Sequence, residues 1–316
     1  MGVHTPMIAA HLLWASVGIF GDRQGVHRTI ADPYYMDTNN ATALHPDAER
    51  GGRGSKPAAF NIVTAVSLEL VSMANNWIMS LAQAEATITV YALDSGVCAR
   101  LSTNATCIES SNTRHVKKQV TEMHKNVVYQ AENYLRNVNK KLAAYIDALD
   151  RVPGGSWVLF SDVDIAFLKP PQQYLASHMP RDANFMFQQG LKTCNDAPGN
   201  VYAASTEVCT GLFYARNVKA VRVLLRQAIG SPSYDHTDQG AVNHVLRKQN
   251  VAFRLLPCAL FPNGYVFQHN QPKDPVAVHF NYIANSADKI ALMRKHNMWG
   301  HPAPPLGGGG RPVTVI

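Results

Sequence analysis

Ser156-Trp157-Val158-Leu159-Phe160-Ser161-Asp162-Val163-Asp164-Ile165-Ala166-Phe167-Leu168 is a buried-strand pattern that runs straight into two carboxylates two residues apart. A short apolar run without alternation fits a strand covered on both faces. In extended chain, residues i and i+2 point to one side, so Asp162 and Asp164 face one way and Val163 the other. In open α/β sheets, ligands bind beyond the carboxyl ends of the strands. Two like charges placed there repel unless a cation or donors compensate. A hard divalent cation with oxygen ligands is the natural compensator, and it also takes phosphate oxygens. The plainer reading of Asp-x-Asp is a solvated turn; the apolar strand before it favours a site.

Outward from this segment, strands and helices alternate. Phe60 to Ala65 reads as a buried strand. Leu70, Val71, Ala74, Trp77, Ile78 and Leu81 then form the stripe of an amphipathic helix. Thr87 to Leu93 reads as a second strand. A polar stretch from His115 to Asp150 has helical spacing at Leu142, Tyr145, Ile146 and Leu149, and Pro153-Gly154-Gly155 breaks it. Further strands are expected at Phe185–Phe187, Gly211–Tyr214, Val251–Leu256 and Val276–Phe280. Helices are expected at 217–229, 238–248 and 286–298, with Asn217 and Ser286 as N-caps. Such alternation argues an α/β fold with a largely parallel sheet.

The ends read differently. Met7 to Phe20 is an apolar run interrupted by His11, comparable in length to the apolar part of a signal peptide but with no Lys or Arg before it. Gly51-Gly52-Arg53-Gly54-Ser55-Lys56-Pro57 reads as a linker, and Pro302 to Ile316, with four consecutive Gly, as a tail. The expected organisation is an N-terminal segment over 1–57 (a leader or anchor plus linker), one folded domain over 58–300 and a tail over 301–316. The chain has 316 residues, 46% apolar and 16% charged, with a net charge of 29 − 22 = +7. That excludes a disordered chain and weighs against a long coiled coil. No run of five Lys or Arg exists, so no nucleic-acid partner is expected. A mildly basic surface suits a polyanionic small molecule such as a diphosphate. Sequons stand at Asn40 and Asn104. None of the five cysteines forms a C-x-x-C pair. Cys98 with Cys107, and Cys194 with Cys209, are spaced so that disulfides are possible.

Read in order, the chain resembles the nucleotide-diphospho-sugar transferase family, of the type grouped in glycosyltransferase family 77, which has a GT-A fold and a DxD motif. The resemblance runs from about Phe60 to Trp299. Its pieces are Asn61–Val66, Asn76-Trp77, Tyr91–Asp94, Phe160–Asp164 with Leu168-Lys169-Pro170, and Cys209–Arg216. They continue with Asp238–Asn243, Leu256-Pro257, Phe261–Gly264, His279–Tyr282, Lys289 and Trp299. The chain departs in a longer, more polar insert around 95–135, and in having Cys209-Thr210-Gly211 where Asn-Ser-Gly is usual.

The resemblance implies a GT-A, Rossmann-like single domain with a mixed, mostly parallel central sheet flanked by helices. It implies a metal-dependent transferase that moves a sugar from a UDP-sugar to a hydroxyl on a glycan, glycoprotein or polysaccharide, with retention (an α-linkage). Asp162, Asp164 and His279 would hold Mn²⁺ or Mg²⁺, and Asp238 and Gln239 would contact the sugar. Thr64 and Asp94, as strand ends, would contact uridine. Lys141, Gly211, Asn281 and Lys289 would bind the donor, with Lys289 on the diphosphate. Each has a plainer alternative: a structural histidine, an exposed helical lysine, an aspartate N-cap. Trp77, Trp157 and Trp299 read as core. A secretory, Golgi-luminal location is the expectation, with the N-terminus open between a leader, a membrane anchor and neither. The alternatives are a non-catalytic UDP-sugar-binding protein and a haloacid-dehalogenase-type phosphatase. The latter expects Thr two residues after the second Asp, where Ala166 stands.

Overall fold

A computed structural model describes residues 60–102, 104–109, 129–194, 206–229, 231 and 237–300. The N-terminal segment, the Asn40 sequon, most of the polar insert and the C-terminal tail lie outside the described residues. Strands β1 (Phe60–Val66), β2 (Ala86–Ala92), β3 (Thr106–Glu109), β4 (Trp157–Ser161), β6 (Phe185–Gln189), β7 (Val208–Arg216) and β8 (Arg254–Leu255) form one sheet. Its order is β3-β2-β1-β4-β7-β6-β8. Only β7 runs against the rest: it pairs antiparallel with β4 and β6, while all other pairs are parallel. This is the mixed, mostly parallel sheet that the GT-A resemblance implies.

Period-two alternation assigns the two faces. Ile62, Leu159, Leu212 and Tyr214 pack on one side with α1 (Val71–Ser80). Val63, Val158, Phe160, Phe213 and Ala215 pack on the other with α2 (Tyr129–Asp150), α4 (Lys219–Ile229) and α5 (Asp238–Gln249). Because both faces are covered, these strands are predominantly apolar, as the sequence indicates. Trp77 and Trp157 are core residues and Trp299 packs against the core edge.

A second, two-stranded sheet carries the site. Strand β5 (Ile165–Phe167) pairs antiparallel with β9 (Ala277–His279), and its register sets Ile165 opposite His279. Three shorter helices complete the described fold: α3 (Pro171–His178), α6 (Gly264–Asn270) and α7 (Ser286–Lys295). Among the described residues, no helix is long and apolar enough to cross a membrane.

Several expectations need correction. Only Arg254–Leu255 of the expected strand 251–256 pairs, because it meets β6 over just Met186 and Phe187 at the sheet edge. Helix α4 begins at Lys219: Asn217 donates its amide N–H groups to the carbonyls of Val152 and Pro153, closing the turn before β4, and its Oδ1 accepts from the Arg222 guanidinium. Helix α7 is capped by Asn285, whose Oδ1 accepts from the Asp288 N–H at 2.9 Å, so Ser286 is its first residue. Cys98 pairs with Cys107, but Cys194 pairs with Cys258 and Cys209 is a buried thiol. Sequence proximity pointed Cys194 to Cys209; the fold instead brings the segment after β6 against the segment after β8.

Candidate active site

Strand β4 delivers Asp162 and Asp164 just past its end. The Asp162 N–H donates to the Gly211 carbonyl at 2.7 Å, and Val163 turns into the core. Trp77 on α1 fixes this corner: its Nε1 donates to Ser161 Oγ at 2.9 Å, and Ser161 Oγ donates to the Asp162 carbonyl at 2.9 Å. The β5–β9 register then sets Asp164 beside His279, and Phe280 N–H closes the junction on the Asp164 carbonyl at 2.8 Å. One ligand atom each from Asp162, Asp164 and His279 lies within 4.8 Å of the others.

Each carboxylate has its own cation. Lys141 on α2 sits between Asp162 Oδ1 at 2.6 Å and Asp238 Oδ2 at 2.7 Å. Lys289 on the first turn of α7 reaches Asp164 Oδ2 at 2.7 Å, and His279 Nε2 lies 3.2 Å from Asp164 Oδ1. Asp238 also accepts from Thr210 Oγ1 at 2.9 Å. Burial alone would raise the Asp164 carboxyl, but His279 and Lys289 outweigh it and hold it well below the usual range. Burial would likewise pull His279 down, yet Asp164 and Cys209 push it up to about 10. Burial raises Asp162, with Asp164 and Asp238 adding to it against Lys141. Asp238 is lowered, because Lys141 and Thr210 overcome its burial. Lys141 rises well above its ordinary value, since Asp162 and Asp238 outweigh its own desolvation.

Gly211 explains itself in this setting. A Cβ there would stand 2.3 Å from His279 Cε1 and 2.8 Å from Asp162 Oδ2, against two of the three residues that could hold a metal. Two carboxylates and an imidazole are a donor set suited to Mn²⁺, and with fewer nitrogens to Mg²⁺. The residues present therefore fit a divalent cation.

The other expected residues are placed as follows. Gln239 donates through Nε2 to Glu207 Oε1, and both stand near Asp238 on the opening turn of α5, whose N-cap is Thr237. Asn281 Oδ1 accepts from the Gly264 N–H at 2.8 Å and so anchors the start of α6. Asp94 accepts from the Leu68 N–H at 2.9 Å, which ties the turn after β2 to the turn after β1. Thr64 does not end its strand: β1 continues to Val66, and Thr64 is fully buried with its hydroxyl unpartnered within the protein. Sequence reasoning missed Thr210, Glu207 and Gln188, whose Oε1 lies 2.7 Å from His279 Nδ1. The available signal was the pair Gln188-Gln189 closing an otherwise apolar strand.

The family model described as nucleotide-diphospho-sugar transferase matches residues 83–293. This chain belongs to that family. Among curated relatives, a UDP-D-xylose:L-fucose alpha-1,3-D-xylosyltransferase 3 of Arabidopsis thaliana is 27% identical over 163 residues, 45% of this chain and 42% of that protein. A second from the same plant, UDP-D-xylose:L-fucose alpha-1,3-D-xylosyltransferase MGP4, is 29% identical over 161 residues, 45% of this chain and 44% of that protein. This family member thus matches less than half the length of those relatives. Among solved structures, the apo glycosyltransferase GlyE of Streptococcus pneumoniae TIGR4 aligns with a TM-score of 0.43 and 13% identity, over 77% of this chain and 65% of that one.

Proposed function

We propose that this chain is a divalent-metal-dependent glycosyltransferase of the secretory pathway, moving a sugar from a UDP-sugar to a hydroxyl acceptor with retention of configuration. The observation that carries the reading is the trio Asp162, Asp164 and His279, with ligand atoms within 4.8 Å of one another and Gly211 leaving room beside two of them. A bound Mn²⁺ or Mg²⁺ would supply Lewis-acid stabilisation of the departing nucleoside diphosphate. Lys289 and Lys141 bring two further positive charges to the same place. Lys289, which sits on Asp164, would be the cation for the diphosphate. Asp238, held by Lys141 and Thr210, and Gln239 beside it are acceptors and donors for hydroxyls of the sugar. The transition state carries oxocarbenium character, which a cluster of carboxylates tolerates.

The xylosyltransferases named above support UDP-xylose as the first donor to try, and the α-linkage in their names supports retention, because that donor is itself α-linked. The disulfides Cys98–Cys107 and Cys194–Cys258 support an oxidising compartment such as the Golgi lumen. The deciding experiment is calorimetric titration of UDP into the full chain with Mn²⁺ and with EDTA, repeated on Asp162→Ala. Metal-dependent binding weakened in the variant is the expected result, followed by slow hydrolysis of UDP-xylose. A folded wild type that ignores UDP in Mn²⁺ overturns the reading.

A further inference from the structure

We infer that Gln188 is a positioning residue for the metal site: its side-chain oxygen keeps the His279 proton on Nδ1 and leaves the Nε2 lone pair aimed at the space beside Asp164. The inference rests on the metal-dependent reading above. Gln188 is 1% exposed, so both ends of its amide must find partners inside the protein. Nε2 donates to the Phe261 carbonyl at 3.0 Å. A carbonyl only accepts, so the amide nitrogen must face it, and Oε1 is the end left facing His279 Nδ1 at 2.7 Å. An amide oxygen also only accepts, so Nδ1 must carry hydrogen. In the neutral ring Nε2 is then bare, and Nε2 is the atom 3.2 Å from Asp164 Oδ1. Cys209 Sγ is the other neighbour of Nδ1, at 3.7 Å, but it already accepts the Gly211 N–H at 3.4 Å and is the weaker acceptor.

A register slip gives Gln188 this position. Strands β6 and β7 pair as Phe187↔Phe213 and then as Gln188↔Cys209, so Thr210, Gly211 and Leu212 have no partner in β6. Bulges beside sites commonly re-aim side chains in this way. Here one slip frees Gly211 and Thr210 toward the carboxylates and sets Gln188 under the histidine. Ligating histidines usually give their second N–H to an outer acceptor, and losing it costs roughly 10–100-fold in metal affinity.

The test is the Mn²⁺ dissociation constant of the full chain with UDP present, read from the electron paramagnetic resonance of free Mn²⁺. Gln188→Met, which keeps the volume and removes the acceptor, is expected to weaken Mn²⁺ about 10–100-fold. Gln188→Glu, which keeps an acceptor oxygen toward His279 and, protonated on its other oxygen, a donor toward the Phe261 carbonyl, should return affinity to within a few-fold of wild type. In a His279→Gln background, Gln188→Met should change nothing further, an outcome that a merely structural role would not produce. If Gln188→Met does not fold in EDTA, Gln188→Asn, too short to bridge both partners, carries the same expectation. Unchanged Mn²⁺ affinity in these variants overturns the inference while leaving the metal reading intact, as does an equal loss in the His279→Gln background. A wild type that binds no Mn²⁺ overturns both.

Discussion

Asp162 and Asp164 are two residues apart and chemically identical, yet the fold gives them opposite environments. The Asp162 side chain is 35% exposed and the Asp164 side chain 11%. Asp162 faces one lysine from a long helix and shares it with Asp238. Asp164 is locked between a buried histidine and a lysine, immediately before a small sheet that exists only because distant segments meet. His279 and Lys289 hold the Asp164 carboxyl down, whereas at Asp162 desolvation together with the charges of Asp164 and Asp238 outweighs Lys141 and pushes the carboxyl up. A motif written symmetrically in sequence is thus divided by packing. Asp164 is a committed anion, and Asp162 is an adjustable one at the edge of the space where a donor would enter.

Removing the committed anion should have the largest effect. Asp164→Ala is expected to lower transfer by about a thousandfold or more, through loss of the metal. It should also destabilise the metal-free protein by about 3 kcal/mol, because His279 and Lys289 lose their buried partner. Asp162→Ala should lower activity but leave metal-free stability nearly unchanged, since Asp238 still satisfies Lys141. Steady-state kinetics beside thermal melts in EDTA separate the two. Equal melting temperatures for both variants would break the division drawn above.

Gly211→Ala strikes both sides at once and ranks next. Its methyl would meet His279 and Asp162 at distances no packed structure keeps. Overpacking of this kind costs about 1–3 kcal/mol, and Mn²⁺ affinity measured by calorimetry should fall roughly 10–100-fold, as displaced side chains lose their geometry. Undiminished affinity would mean that the metal, if bound, does not occupy the space Gly211 leaves open.

The pH dependence sharpens the comparison on the Asp164 side. His279 stands at about 10 against an ordinary value of 6.5, so its stabilising charge is fully present below pH 6.5 and is lost as pH rises through about 10. Asp164 has the opposite sign: its contribution is present above its unfolded value and disappears as pH falls through the lowered folded one. In EDTA the melting temperature should therefore decline from pH 6.5 toward 10, more in wild type than in His279→Gln. Metal uptake must displace the imidazole proton. Mn²⁺ affinity should accordingly rise about tenfold per pH unit below 10. A flat affinity profile would show that His279 is not a ligand.

What was legible in the sequence follows the range over which each feature is encoded. The β4 strand, its two carboxylates, the histidine closing β9 and the lysine on the first turn of α7 are local patterns, each a polar group at the end of an apolar or periodic run. The family resemblance joined them into a site. Thr64 was misplaced because a Thr inside Val-rich chain looks the same at a strand's end as two residues before it. Cys194 was mispaired because its partner Cys258 is 64 residues away and meets it only through the packing of β6 against β8. Gln188, visible only as part of the polar pair that closes β6, and Thr210 were missed for a similar reason. Their roles come from a slip between two strands, and no spacing within either strand records it.

Thr210 offers the smallest and most discriminating prediction on the Asp162 side. Its hydroxyl donates to Asp238 Oδ2, the same oxygen that receives Lys141. Thr210→Val keeps the shape and removes that donor. Asp238 retains its lysine, so the loss should be near that of one hydrogen bond to a charged group, about 1.5–3 kcal/mol at most. If Asp238 contacts the sugar, the variant should weaken UDP-sugar binding about tenfold while binding UDP as wild type does. Calorimetry with the two ligands side by side reads that difference. Equal weakening of both would move Asp238 from the sugar to the nucleotide, and with it the boundary between the adjustable side of the site and the committed one.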